Sequence, residues 1–325
     1  MDVLYLTEAD VERLLTMEMA LEAVEGAFRG AAAGRVANQS RRRLRSSGAL
    51  FHYMAADDET CGYFGMKIYS STRAGVRFLV PLFRGDSGAL VALLEADYLG
   101  RVRTGAASGI ATRYMARADA ARVGILGSGH QAPTQLEAIA RVRRLTSVAV
   151  YSPNSEHRRA FAEKMSSELS LPVEAVESAE AAVRDADIVV AVTSAQQPVL
   201  RGAWLAPGTH INAVGVNSAR RRELDEEAVA RAARIVVDSR EQSQQEAGDL
   251  IAPFEGKPER WQQVHELAEV VAGRVLGRGD PREITLFKSN GVALEDVATA
   301  ARVYKRARRE GVGRMLKMWA GEQPA

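Results

Sequence analysis

The run Arg122-Val123-Gly124-Ile125-Leu126 ends in Gly127-Ser128-Gly129-His130-Gln131-Ala132 and passes into Pro133-Thr134-Gln135-Leu136-Glu137-Ala138-Ile139-Ala140. A short apolar strand, a glycine cluster and a helical periodicity with proline in its first turn form one unit: strand, tight turn, helix. Gly127, Gly129 and Ala132 fill the Gly-x-Gly-x-x-Gly/Ala spacing. The first glycine makes the turn, the second lets the backbone approach a pyrophosphate, and the small third residue lets the helix pack on the strand. A diphosphate then sits on the free N–H groups at the helix start, met by the backbone of Ser128, His130 and Gln131. A glycine-rich turn with no ligand is the alternative. The strand-to-helix context favours a dinucleotide site.

Strands and helices alternate from that motif onward, from about Ala120 to Ser289. Candidate strands are Val148–Tyr151, Val173–Val176, Ile188–Val192, Ile211–Val214, Ile235–Asp238 and Ile284–Ser289, with helical stretches at Glu156–Leu169 and Ala179–Asp185. This alternation predicts a doubly wound parallel sheet. The texture before it differs. A strand at Val3–Leu6, a capping box at Thr7 and Asp10 and a helix capped by Thr16 precede short alternating runs from Ser40 to about Leu94, which read as an antiparallel or mixed sheet. A helix follows from about Arg103 to Ala116. After Asn290-Gly291 comes a long helix, about Val292 to Arg309, with Val292, Leu294, Val297, Ala301 and Tyr304 as a buried stripe. The fold class is therefore α/β: a Rossmann-type domain over 119–291, and an α+β domain built from both chain ends, 1–118 with 292–325.

Composition narrows the function by exclusion. A formal charge of +2 over 325 residues asks for neither nucleic acid nor an anionic membrane. One cysteine, Cys61, excludes an internal disulfide framework, and five histidines without ligand spacing give no metal site. His52 and His210 read as satisfied strand residues. No apolar stretch spans a bilayer and the first residues lack a signal-peptide pattern, so a reducing cytoplasm is the expectation.

The second strand of the parallel sheet should end in an acidic residue gripping the adenosine ribose. Here it ends Tyr151-Ser152-Pro153-Asn154-Ser155-Glu156-His157-Arg158-Arg159. With no carboxylate at the tip, Ser152, Asn154 and Arg158 can donate to a 2′-phosphate, so NADP(H) is preferred with NAD(H) possible. Alternatively, Arg158 and Arg159 form only a solvated helix face and Glu156 turns inward.

Several flanking segments, with this motif, resemble the ornithine cyclodeaminase/mu-crystallin family over nearly the whole chain. They are Gly65-Met66-Lys67, Leu94-Glu95-Ala96, Arg103-Thr104-Gly105-Ala106-Ala107, Asn212-Ala213-Val214-Gly215, Arg222-Glu223-Leu224-Asp225, Val237-Asp238-Ser239, Gly248-Asp249-Leu250 and Phe287-Lys288-Ser289-x-Gly291. The resemblance implies a homodimer whose chain ends form a substrate and dimerisation domain around an inserted Rossmann domain. It also implies hydride transfer between a nicotinamide and the α-carbon of an amino or imino acid.

The resemblance places Arg41 where an arginine holds the substrate carboxylate, although Arg43 could be the one that points inward. It makes Lys67 the catalytic lysine; set among Phe64, Met66 and Ile68, its amine would be partly desolvated and able to exchange protons near neutral pH. Arg103 and Thr104 are implied for the substrate carboxylate and the cofactor diphosphate. Thr193 at a carboxyl edge, Val214 in the next loop and Ser289 after the last strand are placed against the cofactor, with ordinary turn residues the bland alternative for Thr193 and Ser289.

The departure is Asn217, where cyclodeaminases of the family carry a proton-handling aspartate. Asparagine cannot take and return a proton, which bears hardest on deamination. Asp225 and Asp249 could compensate, though Asp225 reads as a helix cap. The reading is an NAD(P)H-dependent imino acid reductase acting on ketimines or cyclic imines such as pyrroline-2-carboxylate, with Lys67 and Asn217 at the reacting centre. An ornithine cyclodeaminase with bound NAD, an alanine-type dehydrogenase and a non-catalytic NADPH-dependent binder are the alternatives.

Overall fold

Continuous apolar strands require burial on both faces, and the middle of the chain meets that requirement with an eight-stranded sheet. A computed structural model describes residues 2–319. Its strands are β1 Asp2–Leu6, β2 Val36–Arg45, β3 Leu50–Asp58, β4 Tyr63–Thr72, β5 Gly75–Arg84, β6 Leu90–Glu95, β7 Arg122–Leu126, β8 Ser147–Tyr151, β9 Val173–Ala175, β10 Ile188–Ala191, β11 His210–Ala213, β12 Ala232–Val237, β13 Val264–Glu266, β14 Ile284–Lys288 and β15 Arg314–Lys317. The chain divides into two compact units, one up to Arg103 and from Val292 onward, the other Thr104–Gly291. The first division falls inside the helix Asp97–Met115, not near residue 118, because an unbroken helix carries no mark in sequence of where its packing changes. Residue 1 and residues 320–325 of the expected terminal domain lie outside the described residues.

In the Thr104–Gly291 unit the order is β13-β12-β14-β11-β10-β7-β8-β9, with every pairing parallel. β10 shows why the runs are apolar throughout: Val189 and Ala191 enter one core, Ile188 and Val190 the other. Sequence order reverses beside β7, and such a switch point opens a crevice at the carboxyl ends of the strands. The Gly127 turn leaves β7 there.

The other unit is built on a mixed seven-stranded sheet, β15-β1-β6-β5-β4-β3-β2, in which β1 and β6 are parallel and the remaining neighbours antiparallel. The helix Ala293–Glu310 packs on the helix Met17–Ala32 and across β3 and β4. Alternation along β3 buries His52, Met54 and Ala56 on the covered face and leaves Phe51 and Tyr53 37% and 39% exposed on the other. Leu44, opposite Phe51 in the register, joins that apolar face. The Thr7–Asp10 capping box and the Thr16, Asn154 and Asp225 caps all form. β15, which pairs antiparallel with β1, lies in a tail whose sequence carried no legible pattern.

Candidate active site

The unit formed from the chain ends gathers an ionic cluster around Lys67. Cross-strand pairing sets Lys67 on β4 opposite Met54 on β3, so its side chain falls on the helix-covered face, 3% exposed. Lys67 Nζ donates to Asp296 Oδ1 at 2.9 Å, and Arg103 Nε donates to the same oxygen at 3.1 Å. A second ion pair joins Arg103 to Glu295. Both carboxylates are fully buried in the first turn of the helix Ala293–Glu310, where the helix dipole favours negative charge. Arg41 on β2 is buried with its guanidinium against Met54 sulfur, whereas Arg43 is exposed, so Arg41 is the arginine that turns inward.

Space for the amine comes from glycine. A Cβ on Gly100 would stand 2.9 Å from Lys67 Nζ. On another side the amine lies 5.0 Å from the centre of the Phe78 ring. Burial pushes Lys67 down from its ordinary 10.5 to about 8; Asp296 opposes that push, while Arg103 and Arg41 add to it. His52 stacks on Tyr69 at 4.2 Å and is pushed down to about 4, by burial first and then by Arg43 and Arg41, so it adds no charge near neutrality. Three cations and two carboxylates leave the cluster with one net positive charge, a setting matched to a monoanionic ligand. Glu295 and Asp296 escaped the sequence reading; the available signal was a pair of acids beside the apolar Val292, Leu294 and Val297 of a helix stripe.

The Thr104–Gly291 unit supplies a dinucleotide cradle. Gly127 adopts φ +107°, a conformation favouring glycine, and a Cβ there would strike the Val192 carbonyl. The helix Ala132–Val142 begins after Gln131 with no side-chain cap; Ala132 N–H turns back to the Gly129 carbonyl at 3.0 Å and Pro133 has none, so an anion here is met by the backbone of the glycine turn and the positive end of the helix dipole. His130 and Gly129 are exposed on the turn. These features fit a diphosphate. At the end of β8, Ser152 Oγ lies 2.8 Å from Ser128 Oγ, and Asn154 caps the next helix by accepting from His157 N–H. Arg158 is not a solvated residue. It is buried beneath Tyr151, donates to the Ser152 carbonyl at 3.1 Å and pairs with Glu177, whose side chain is 78% exposed.

The remaining sequence candidates are spread around the carboxyl ends of the parallel strands. Thr193 donates its N–H to buried Glu223 at 2.6 Å, and Gly215, next to Val214, donates to the other Glu223 oxygen at 2.7 Å. Ser289 donates to Asp238 at 3.2 Å and is buried, while Asn217 is exposed. Thr104 is buried on its helix. Asp249 accepts the Glu223 and Leu224 N–H groups and pairs with Lys288 at 3.0 Å, and Asp225 caps the helix Glu226–Arg231. Neither is placed to stand in for an acid at position 217. Among the described residues no cluster of metal-ligating side chains occurs, and no helix is long and apolar enough to cross a membrane.

Residues 1–311 match the model of the ornithine cyclodeaminase/mu-crystallin family. Among solved structures, the chain is similar to the Thermococcus litoralis Δ1-pyrroline-2-carboxylate reductase in complex with NADH and L-proline, with 38% identity and a TM-score of 0.92 over 96% of this chain and 99% of that one. It is also similar to an archaeal alanine dehydrogenase dimer with bound NAD, at 34% identity and TM-score 0.92 over 98% and 100%. The iminosuccinate reductase of Paracoccus denitrificans in complex with NAD+ matches at 32% identity and TM-score 0.92 over 98% and 100%.

Proposed function

The chain belongs to the ornithine cyclodeaminase/mu-crystallin family, and on that premise we propose that it is an NAD(P)H-dependent reductase of imino acids, acting on a cyclic imine such as pyrroline-2-carboxylate. The observation that carries this reading is the buried Lys67 cluster with its single net positive charge. One carboxylate neutralises it. A substrate with two carboxylates, as iminosuccinate has, leaves an anion over. Arg41 holds the substrate carboxylate, and Arg103, already engaged by Glu295 and Asp296, supports that grip by fixing the cluster. Lys67, mostly protonated at neutral pH, delivers a proton to the imine nitrogen. The bound nicotinamide supplies the hydride. The carbon–nitrogen π bond becomes one new C–H and one new N–H bond, Lys67 ends neutral, and solvent reprotonates it.

The cradle at Gly127, with Ser128, His130, Gln131, Thr104, Thr193, Val214 and Ser289, is the proposed dinucleotide site. NADP(H) preference rests on the absence of an acid at the tip of β8 and on Ser152 there; Arg158, expected to donate to a 2′-phosphate, is instead engaged by the Ser152 carbonyl and Glu177, and Asn154 caps the next helix. The relatives with NADH or NAD+ bound keep NAD(H) open to this chain. Asn217 and the engagement of Asp225 and Asp249 argue against cyclodeamination. The exposed Leu44, Phe51 and Tyr53 face, together with the dimeric archaeal neighbour, supports a homodimer, and the single cysteine suits a reducing cytoplasm.

The test is loss of reduced-nicotinamide absorbance with purified protein, pyrroline-2-carboxylate or piperideine-2-carboxylate, and NADPH or NADH. Consumption with formation of proline or pipecolate is expected. Proline and ammonia from ornithine, without consumption of added cofactor, would overturn the assignment in favour of a cyclodeaminase.

A further inference from the structure

We propose that Asp296 is the positioning residue of the reduction, a carboxylate that holds the Lys67 ammonium in its charged, proton-donating form and ties it to Arg103 through one shared oxygen. The inference rests on the reductase reading above and concerns only groups within the unit built from the chain ends.

Asp296 is fully buried, and its Oδ1 is the acceptor for both Lys67 Nζ at 2.9 Å and Arg103 Nε at 3.1 Å. Its Oδ2 is buried without a hydrogen-bond partner, so the hydrogen bonding of this carboxylate goes to the two cations and not to the backbone. At the start of the same helix the Leu294 N–H is taken by Asn38 Oδ1 at 3.1 Å.

The electrostatic surroundings show why such a residue is needed. Around Lys67 stand Arg41 from β2, His52 from β3, the Phe78 ring from β5, Arg103 and Gly100 from the helix Asp97–Met115, and Glu295 and Asp296 from the helix Ala293–Glu310. His52 is neutral near pH 7, and Arg41 and Arg103 both repel a proton on Lys67. Glu295 is bound to Arg103. Asp296 is therefore the one carboxylate in this set that bonds to the amine directly, and against burial and two guanidinia it keeps Lys67 protonated in the neutral range. The short reach from Asp296 to both Nζ and Arg103 Nε also holds the amine against Gly100, where a Cβ would crowd it at 2.9 Å.

The experiment compares the wild type with Asp296→Asn and Asp296→Glu, in the full chain. The alkaline limb of kcat/KM for pyrroline-2-carboxylate reduction should move to lower pH by at least one unit in Asp296→Asn, a tenfold or greater loss of proton affinity at Lys67. Asp296→Glu should return it toward the wild-type position. In parallel, the 13Cε resonance of Lys67, assigned by its absence from Lys67→Arg, is titrated in the ligand-free protein. A matching acid shift in Asp296→Asn is expected. An unmoved resonance, or an activity loss that is uniform across pH with the limb in place, would reduce Asp296 to a structural residue and overturn the proposal. If the wild type reduces no cyclic imine, the reductase reading fails on its own while the resonance still decides the Asp296–Lys67 coupling. If Asp296→Asn does not fold, Asp296→Ser carries the same two readouts, an acid shift of limb and resonance being expected and an unmoved limb or resonance overturning the proposal.

Discussion

If Lys67 is the proton donor in reduction, the two directions of the reaction should respond to pH with opposite sign through the same group. Reduction needs the ammonium; oxidation of the amino acid needs the free amine. With Lys67 pushed down to about 8, the protonated fraction is about nine-tenths at pH 7 and about one-tenth at pH 9. The rate constant kcat/KM for pyrroline-2-carboxylate should therefore fall about tenfold between those values, while kcat/KM for proline oxidation rises about tenfold. The assay is initial-rate absorbance at fixed ionic strength from pH 6 to 10, in a buffer series checked for cofactor stability. Lys67→Arg supplies the control, because a guanidinium holds its proton beyond pH 12 and should abolish the limb while lowering the rate. A flat profile in the wild type, or an equal limb in Lys67→Arg, would refute the assignment of the proton to Lys67. A limb near the ordinary lysine value of 10.5 would refute the desolvation argument instead.

The same depressed pKa has a consequence for stability. Because the folded value lies below the unfolded one, the unfolded chain binds more protons between about pH 8 and 10.5, so this residue contributes increasing stability as pH rises through that window and imposes its full penalty below it. The penalty is on the order of 3 kcal/mol, and urea melts at pH 8 and 10 should show a smaller rise in Lys67→Met than in the wild type. Arg41→Met should raise KM for cyclic imino carboxylates by about 10- to 150-fold, the worth of roughly 1.5–3 kcal/mol for a charge-assisted bond, with a smaller change in kcat. Steady-state kinetics on both parameters checks it, and an unchanged KM would move the carboxylate elsewhere. Glu177→Gln should raise the ratio of kcat/KM for NADPH over NADH, because it releases Arg158 beside Ser152 and removes a carboxylate from that end of the sheet. With the Glu177 side chain 78% exposed, solvent screening limits the gain to about two- to fivefold.

The fold was legible where local chemistry and global packing agree. Gly127, the apolar strands and the Thr7, Thr16 and Asp225 caps each state their structural job in a few residues, and each does that job here. Side chains that meet across long sequence separations were not legible. Lys67 and Asp296 lie 229 residues apart, and nothing in the alternation of β4 names its partner. Arg158 shows the same limit in reverse: on a helix face its charge suggests solvent, but packing against Tyr151 and pairing with Glu177 buries it. The choice between Arg41 and Arg43 needed the face of β2, which a register irregularity between Gln39 and Arg42 shifts relative to β3. Arg41 and Arg43 would share a face of a regular strand; the extra residue between Gln39 and Arg42 breaks that alternation at Arg41, and no local pattern fixes where it occurs.

The carboxylates of the parallel-sheet unit bear on the choice between reduction and deamination. Deamination requires an acid that can take a proton from an ammonium and later return one, and each acid near the strand ends is engaged in another way. Glu223 binds the Thr193 and Gly215 N–H groups, holding together the loops after β10 and β11. Asp249 accepts from Glu223 and Leu224 and pairs with Lys288, which in turn donates to the Val216 carbonyl in the loop leading to Asn217. Asp238 accepts from Ser289 and from the Ser239, Asn290 and Gly291 backbone, where the chain leaves β14. Protonating any of these carboxylates would turn its charge-assisted N–H bonds into weaker neutral ones, so cycling a proton there during turnover would loosen the loops it holds. Position 217 is where the family resemblance expects a free aspartate, and asparagine stands there. On the reductase reading, proton handling falls to the Lys67 cluster, which can donate one proton to an imine that already carries its electrophilic carbon. An imino acid is the substrate that this division of charged groups can serve.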